Sequence, residues 1–226
     1  AEIGELQGIR KRQGLPPLII AADQEGGAVS RLSPPLARQP SIAAVLRGKS
    51  RDVEIEPIVR AYAAKQAAEL NKVGVTLNFS PVVDLNFNPT YRGDGQTQLR
   101  NRAISSEPFR VAKVADWYCQ GLADAAIACT LKHFPGLGRV KRDTHLMSAA
   151  IEVSEGKLEL NDWLPFMRVM RRPHVAIMLA HVKINAIDKS APASYSPKII
   201  ADLIRKKWNF RGLIITDDFS MGAITR

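Results

Sequence analysis

Lys132-His133-Phe134-Pro135-Gly136-Leu137-Gly138 is followed a few residues later by Asp143-Thr144-His145. A lysine, two imidazoles and a carboxylate at this spacing offer proton transfer near neutral pH, recognition of hydroxyl groups, or metal ligation. Two residues apart on an extended segment, Asp143 and His145 project to the same side, where the carboxylate can orient the ring and raise its basicity. Metal ligation by His133, Asp143 and His145 lacks the support of an H-E-x-x-H or CxxC spacing, so no metal is expected, and no organic cofactor is implied. For an isolated Asp-x-His, a surface turn with solvated charges is the simpler reading. The residues around it argue otherwise.

Ile127 to Leu131 is a short apolar run with β-branched residues, which reads as a buried strand ending at Lys132. Pro135, Gly136 and Gly138 then demand a shaped loop that brings His133, Asp143 and His145 into one neighbourhood. The same grammar recurs. Leu18 to Ala22 ends in Asp23-Gln24-Glu25-Gly26-Gly27, Val75 to Phe79 runs on to Asp84, Val175 to Ala180 ends in His181, and Leu213 to Thr216 ends in Asp217-Asp218. On local grounds Asp23 serves equally well as the acid of an Asx turn. Asp84 reads either as a group that orients an active-site residue or as purely structural.

Helical stripes separate the strands. Val59, Tyr62, Ala63, Gln66, Ala67, Leu70 and Val73 recur at helical intervals between Pro57 and Gly74, and Val111, Val114, Ala115, Tyr118 and Leu122 form another stripe. Asn161 is expected to cap a short helix running to Met170, and Ser196-Pro197 to open a third stripe through Ile199, Ile200, Leu203, Ile204 and Trp208. Wholly apolar strands alternating with helices imply parallel pairing in an α/β fold. A (β/α)₈ barrel and an open doubly wound sheet both satisfy that pattern, and polar residues at every strand's C-terminal end suit the barrel.

The combination Lys-His-Phe-Pro-Gly with Asp-Thr-His resembles the signature of glycoside hydrolase family 3, in its β-N-acetylglucosaminidase branch. Further motifs follow in order: Asp23-Gln24-Glu25-Gly26-Gly27 with Val29 and Arg31, Arg102-Ala103-Ile104 with Glu107-Pro108, and Thr216-Asp217-Asp218-Phe219-Ser220-Met221. The resemblance implies a TIM-type barrel and a retaining exo-β-N-acetylglucosaminidase acting on terminal β-linked N-acetylglucosamine, with peptidoglycan-derived fragments as the source. It assigns Asp217 as nucleophile, His145 as acid/base with Asp143 orienting it, and Asp23, Arg31, Arg102, Lys132, His133 and His181 as sugar-binding residues. Leu137 departs from the family's His-Phe-Pro-Gly-His-Gly and removes a polar contact. β-Glucosidase or phosphorylase activity, or a sugar-binding homologue without catalysis, are the alternatives.

The chain has 226 residues, 46% of them hydrophobic and 24% charged, which suits one domain over 1–226 with a sizeable core. A full barrel takes about 250 residues, so the final β/α unit is expected to be missing, with the first strand in question. The formal charge of +10 raises nucleic acid as a partner, but the basic residues lack aromatic interleaving and read as solvated helix faces. A carbohydrate partner with a weak attraction for anionic saccharides, no nucleic acid and a monomer are expected. No apolar run approaches a membrane span. Cys119 and Cys129 read as reduced core residues, and the location expected is cytoplasmic, with periplasmic or secreted export left open.

Overall fold

The computed structural model describes residues 2–88, 95–140 and 143–225. Helix α1 (Glu2–Arg12) precedes strand β1 (Ala21–Ala22), the hairpin strands β2 (Gln24–Gly26) and β3 (Val29–Ser30), and the short helix α2 (Ile42–Val45). Helix α3 (Asp52–Lys72) leads to β4 (Leu77–Asn78), and α4 (Leu99–Arg102) and α5 (Pro108–Ala123) lead to β5 (Ala128–Phe134). After them come β6 (Ala149–Ile151), α6 (Glu155–Leu160), α7 (Leu164–Val169), β7 (Val175–Leu179), β8 (Val182–Ile184), a π-helix at Lys198–Lys207, β9 (Ile214–Thr216) and α8 (Gly222–Thr225).

Strands β1, β4, β5, β7 and β9 form one sheet in that order, with every pair parallel. Sheet order therefore repeats chain order, whereas a doubly wound sheet reverses direction at a switch point. This winding is that of a TIM-type barrel, and the five strands form a sector of its wall. The pairs β2–β3, antiparallel, and β6–β8, parallel, stand apart from that sheet. All five residues of β7 are buried, as are all but the first of β5, because helices cover the outer face and strand-end side chains fill the inner one. Phe134, at the end of β5, packs against Trp163, Phe166 and Trp208 with ring centroids 5.7, 5.3 and 5.4 Å away. That cluster anchors the strand beside His133.

Several local expectations change. β5 runs past Leu131 through Lys132 and His133, because Val83 N donates to Lys132 O at 2.8 Å and Ala180 N to Phe134 O at 2.7 Å. Asn161 does not open the helix that follows: it is the C-cap of α6, its side-chain amide donating back to Lys157 O at 3.0 Å, and the turn ending α6 drives Trp163 into the core before α7 begins. Ser196 does cap, accepting from Ile199 N at 3.3 Å. Cys119 and Cys129 are not reduced thiols but a disulfide, with Cα atoms 5.4 Å apart. The tight turn between α5 and β5 folds the strand back along the helix that precedes it, so two buried positions ten residues apart face each other. Part of the loop between Asn88 and Asn101, at 89–94, lies outside the described residues, as do 141–142.

Candidate active site

A buried polar network under the sheet's C-terminal edge fixes the first acidic loop. Asn78 of β4 donates to Gln24 O at 3.0 Å and to Tyr118 Oη at 2.9 Å, and Gln66 of α3 donates to Gln24 O at 2.7 Å. Tyr62 donates to Glu25 O at 2.9 Å. Gly26 has φ +94°, and a Cβ there would lie 2.4 Å from the Tyr62 hydroxyl and 2.5 Å from Pro40 O, so only glycine allows the loop to close this tightly. Asp23 and Glu25 are thereby aimed at the end of β5.

There the charges interlock. Lys132 Nζ lies 2.6 Å from Asp23 Oδ1 and 2.5 Å from Glu25 Oε1, while Arg102 donates Nη2 to Glu25 Oε1 at 2.6 Å and Nε to Glu25 Oε2 at 2.9 Å. Lys132 is 2% exposed and Glu25 5%, so water screens these pairs little. Burial pushes the Glu25 carboxyl up, but Lys132 and Arg102 together outweigh it and hold the group at about 2. Burial pulls the Arg102 guanidinium down, and Glu25 with the nearby Asp84 and Asp23 carboxylates raises it on balance.

His133 joins the same group. Its Nε2 lies 3.3 Å from Arg102 Nη2, which can only donate, so Nε2 accepts and the ring proton sits on Nδ1, 2.7 Å from Asp84 Oδ2. Asp84 is fully buried and also accepts from His133 N at 3.2 Å and Leu137 N at 2.7 Å. Asp84 thus orients the His133 ring. Leu137, the departure from the family motif, is a buried side chain whose backbone ties the loop to Asp84.

Asp143 is the centre of a second group. Its Oδ1 accepts from His145 N at 3.0 Å, His145 Nδ1 at 2.9 Å and Thr97 Oγ1 at 3.0 Å; its Oδ2 accepts from Gln96 N at 2.8 Å and Thr97 N at 3.4 Å. Burial pushes this carboxyl up, and the backbone and side-chain donors prevail and hold it below the usual carboxylate range. The His145 side chain is 34% exposed, with Nδ1 occupied by Asp143. The imidazole is therefore held on one side and open on the other.

Asp217 follows β9, its N–H donating to Leu179 O at 2.9 Å, and its Oδ1 accepts from Asp218 N at 3.0 Å. His181, at the end of β7, is buried; Nε2 donates to Asp218 O at 2.9 Å and Nδ1 meets the Ser194 hydroxyl at 2.8 Å. The ring thereby pins the Asp217-Asp218 tip. Asp218 is held below the usual range first by the backbone and side chain of Ser220, with the His181 and His145 rings adding to it. Gly222 N donates to His145 O at 2.8 Å, and a Cβ on Gly222 would lie 2.5 Å from Leu146 O, so the two loops close only on a glycine.

Of the residues expected in the site, Asp23, Arg102, Lys132 and His133 form one cluster, Asp143 and His145 a second, and His181 with Asp217 a third. Arg31 is exposed; its backbone N–H donates to Asp23 O at 3.1 Å, and among the described residues its side chain joins none of these groups. Sequence reading missed Glu25 and Thr97. An acid inside the Asp23 to Gly27 turn was the available signal for Glu25, whereas a single threonine in a polar loop gives none. A cavity of about 1150 Å³ opens beside the second cluster, lined in part by Thr97, Thr144, Arg139 and Lys183 and not by Asp23, Lys132 or Asp217. It flanks the dyad rather than containing the charged cluster.

Comparison with known proteins agrees with this arrangement. A beta-hexosaminidase of Xylella fastidiosa is 35% identical over 225 residues, which cover 99% of this chain and 65% of that protein. One of Xanthomonas axonopodis pv. citri is 34% identical over 223 residues, 98% of this chain and 64% of the relative. The chain thus spans slightly less than two thirds of the length of these relatives. The structure of a glycoside hydrolase family 3 beta-N-acetylglucosaminidase from Paenibacillus sp. superposes with a TM-score of 0.85 at 30% identity, covering 99% of this chain and 41% of that one. The model of the glycosyl hydrolase family 3 N terminal domain matches residues 4–226. With five parallel strands wound as a barrel sector and the family's motifs at their C-terminal ends, this chain belongs to glycosyl hydrolase family 3.

Proposed function

We propose that this barrel domain carries the active site of a retaining exo-β-N-acetylglucosaminidase, which releases terminal β-linked N-acetylglucosamine from peptidoglycan-derived saccharides. The observation that carries the reading is the pairing of a buried carboxylate–cation pocket, Asp23–Lys132–Arg102–His133, with a separate Asp143–His145 dyad tied to the Asp217 tip. Asp23 can accept and Lys132, Arg102 and His133 can bind the hydroxyls that identify a terminal sugar. The Asp217 carboxylate attacks the anomeric carbon as the bond to the leaving oxygen breaks, and His145 gives that oxygen its proton from Nε2. Water then attacks the glycosyl ester; His145 takes its proton, and Asp217 is released as carboxylate. Asp143 keeps the ring in the Nδ1–H tautomer. The names of the relatives support the sugar, and the family branch that the motifs resemble supports the source.

Hydrolysis of 4-nitrophenyl β-N-acetylglucosaminide against the corresponding β-glucoside, each with and without inorganic phosphate, tests the reading. Hydrolysis of the first, with free sugar as product under both conditions, is expected. Preference for the glucoside, or a sugar phosphate as product, overturns it. We further propose an oxidising compartment, since a disulfide such as Cys119–Cys129 persists there and is rare in the cytosol.

A further inference from the structure

The pocket for the sugar and the proton-transfer dyad meet at one residue. Arg102 is locked by its two-pronged bond to Glu25, and its remaining Nη1 donates to Thr97 O at 2.9 Å. Thr97 is 5% exposed. From that fixed backbone its hydroxyl reaches Asp143 Oδ1 at 3.0 Å and His145 Nδ1 at 3.2 Å, while its N–H adds a longer contact to Asp143 Oδ2 at 3.4 Å. Asp143 Oδ1, His145 Nδ1 and Thr97 Oγ1 therefore form a closed triangle of hydrogen-bonding atoms.

We propose that Thr97 is a positioning residue that sets the plane of the His145 imidazole and couples it to the sugar-side cation Arg102. A carboxylate alone lets a ring swing about a single bond, and a second partner on the same nitrogen removes that freedom. The hydroxyl serves both needs: its lone pair accepts from Nδ1–H while its own proton goes to Asp143. Because Arg102 holds the carbonyl of Thr97, occupation of the sugar pocket and the direction of Nε2 share one rigid post. As a consequence for the reaction, Thr97 matters most where the leaving oxygen needs a well-aimed proton. The role rests on the glycosidase reading above, but the arrangement of the ring does not.

The test uses Thr97→Val, which keeps the shape and removes the hydroxyl, and Thr97→Ser, which restores it. For a chitobiose-type substrate with a poor leaving group, Thr97→Val is expected to lower kcat about tenfold, the worth of one hydrogen bond to a charged group, with KM little changed and a smaller loss on 4-nitrophenyl β-N-acetylglucosaminide. Thr97→Ser is expected to recover most of the loss. Equal losses on both substrates, or no recovery by serine, overturn the proposal. Independently of activity, ¹⁵N–¹H spectra of the histidine rings are expected to show the His145 Nδ1–H signal shifted in the valine variant and restored in the serine variant. An unshifted signal overturns it even if the wild-type chain hydrolyses nothing, an outcome that would sink the glycosidase reading by itself.

Discussion

The Glu25 carboxylate takes both Nε and Nη2 of Arg102, at 2.9 and 2.6 Å, and shares its Oε1 with Lys132 at 2.5 Å. One buried acid therefore bridges two cations, and Asp23 supplies the second negative charge at Lys132. Glu25→Gln takes from those cations the carboxylate they share and is expected to destabilise the fold by about 3–5 kcal/mol. The same bond sets an acid limit. Because the folded carboxyl titrates at about 2 against an ordinary 4.5, the unfolded chain binds the proton first as pH falls. The contribution, on the order of 3 kcal/mol, is full above about pH 4.5 and is lost toward pH 2. Denaturant unfolding at pH 6 and pH 3 checks this; a Glu25→Gln variant with an unchanged pH slope would contradict it.

Arg102→Ala removes the guanidinium and frees Glu25 from one of its two partners. Binding of N-acetylglucosamine or a pocket-directed inhibitor is expected to weaken by about 1–3 kcal/mol, roughly five- to two-hundredfold. Calorimetry on a variant shown to be folded by circular dichroism reads this directly, and unchanged affinity takes Arg102 out of the pocket.

Asp217→Asn is expected to cut turnover by orders of magnitude and Asp218→Asn by much less, because the Asp218 carboxylate is turned to Ser220 N at 2.8 Å. Rapid-quench trapping of a glycosyl-enzyme ester on Asp217 is the positive counterpart. The reverse ranking would transfer the nucleophile's role to Asp218.

His145→Ala is expected to slow substrates with poor leaving groups far more than activated aryl glycosides, since an aryl oxide departs without a proton. A plot of log kcat against leaving-group pKa therefore steepens in the variant. Parallel plots count against acid catalysis at this position.

Cys119→Ser, or full reduction, is expected to lower stability by about 2–3 kcal/mol, the loop-closure estimate for a cross-link across ten residues. Thiol titration after unfolding, with and without reductant, establishes the bond in the purified protein. Two free thiols without reductant would return both residues to the reduced state expected from sequence.

Much of the site was legible because its residues stand where polarity changes abruptly at strand ends. Lys132, His181 and Asp217 each follow an apolar run, and that junction identifies the barrel's working face before any contact is known. Hydrophobic runs do not separate the barrel from the doubly wound sheet; the motif resemblance does, and the observed pairing order agrees with it. Thr97 was invisible because its role depends on a loop carried to Asp143 from 46 residues away. Arg31 came from a motif position alone, and its side chain is exposed and joins none of the charged groups among the described residues. Cys119 and Cys129 were misread because their partnership depends on how a helix folds back on the next strand, which composition does not report.

Each wall strand pairs with the wall strand that precedes it in the chain, from β1 to β4 to β5 to β7 to β9. Each new wall strand can therefore add to the one synthesised before it. In chain order Asp23 and Lys132 both precede Asp217, so their ion pair involves only segments synthesised before the strand that leads to Asp217.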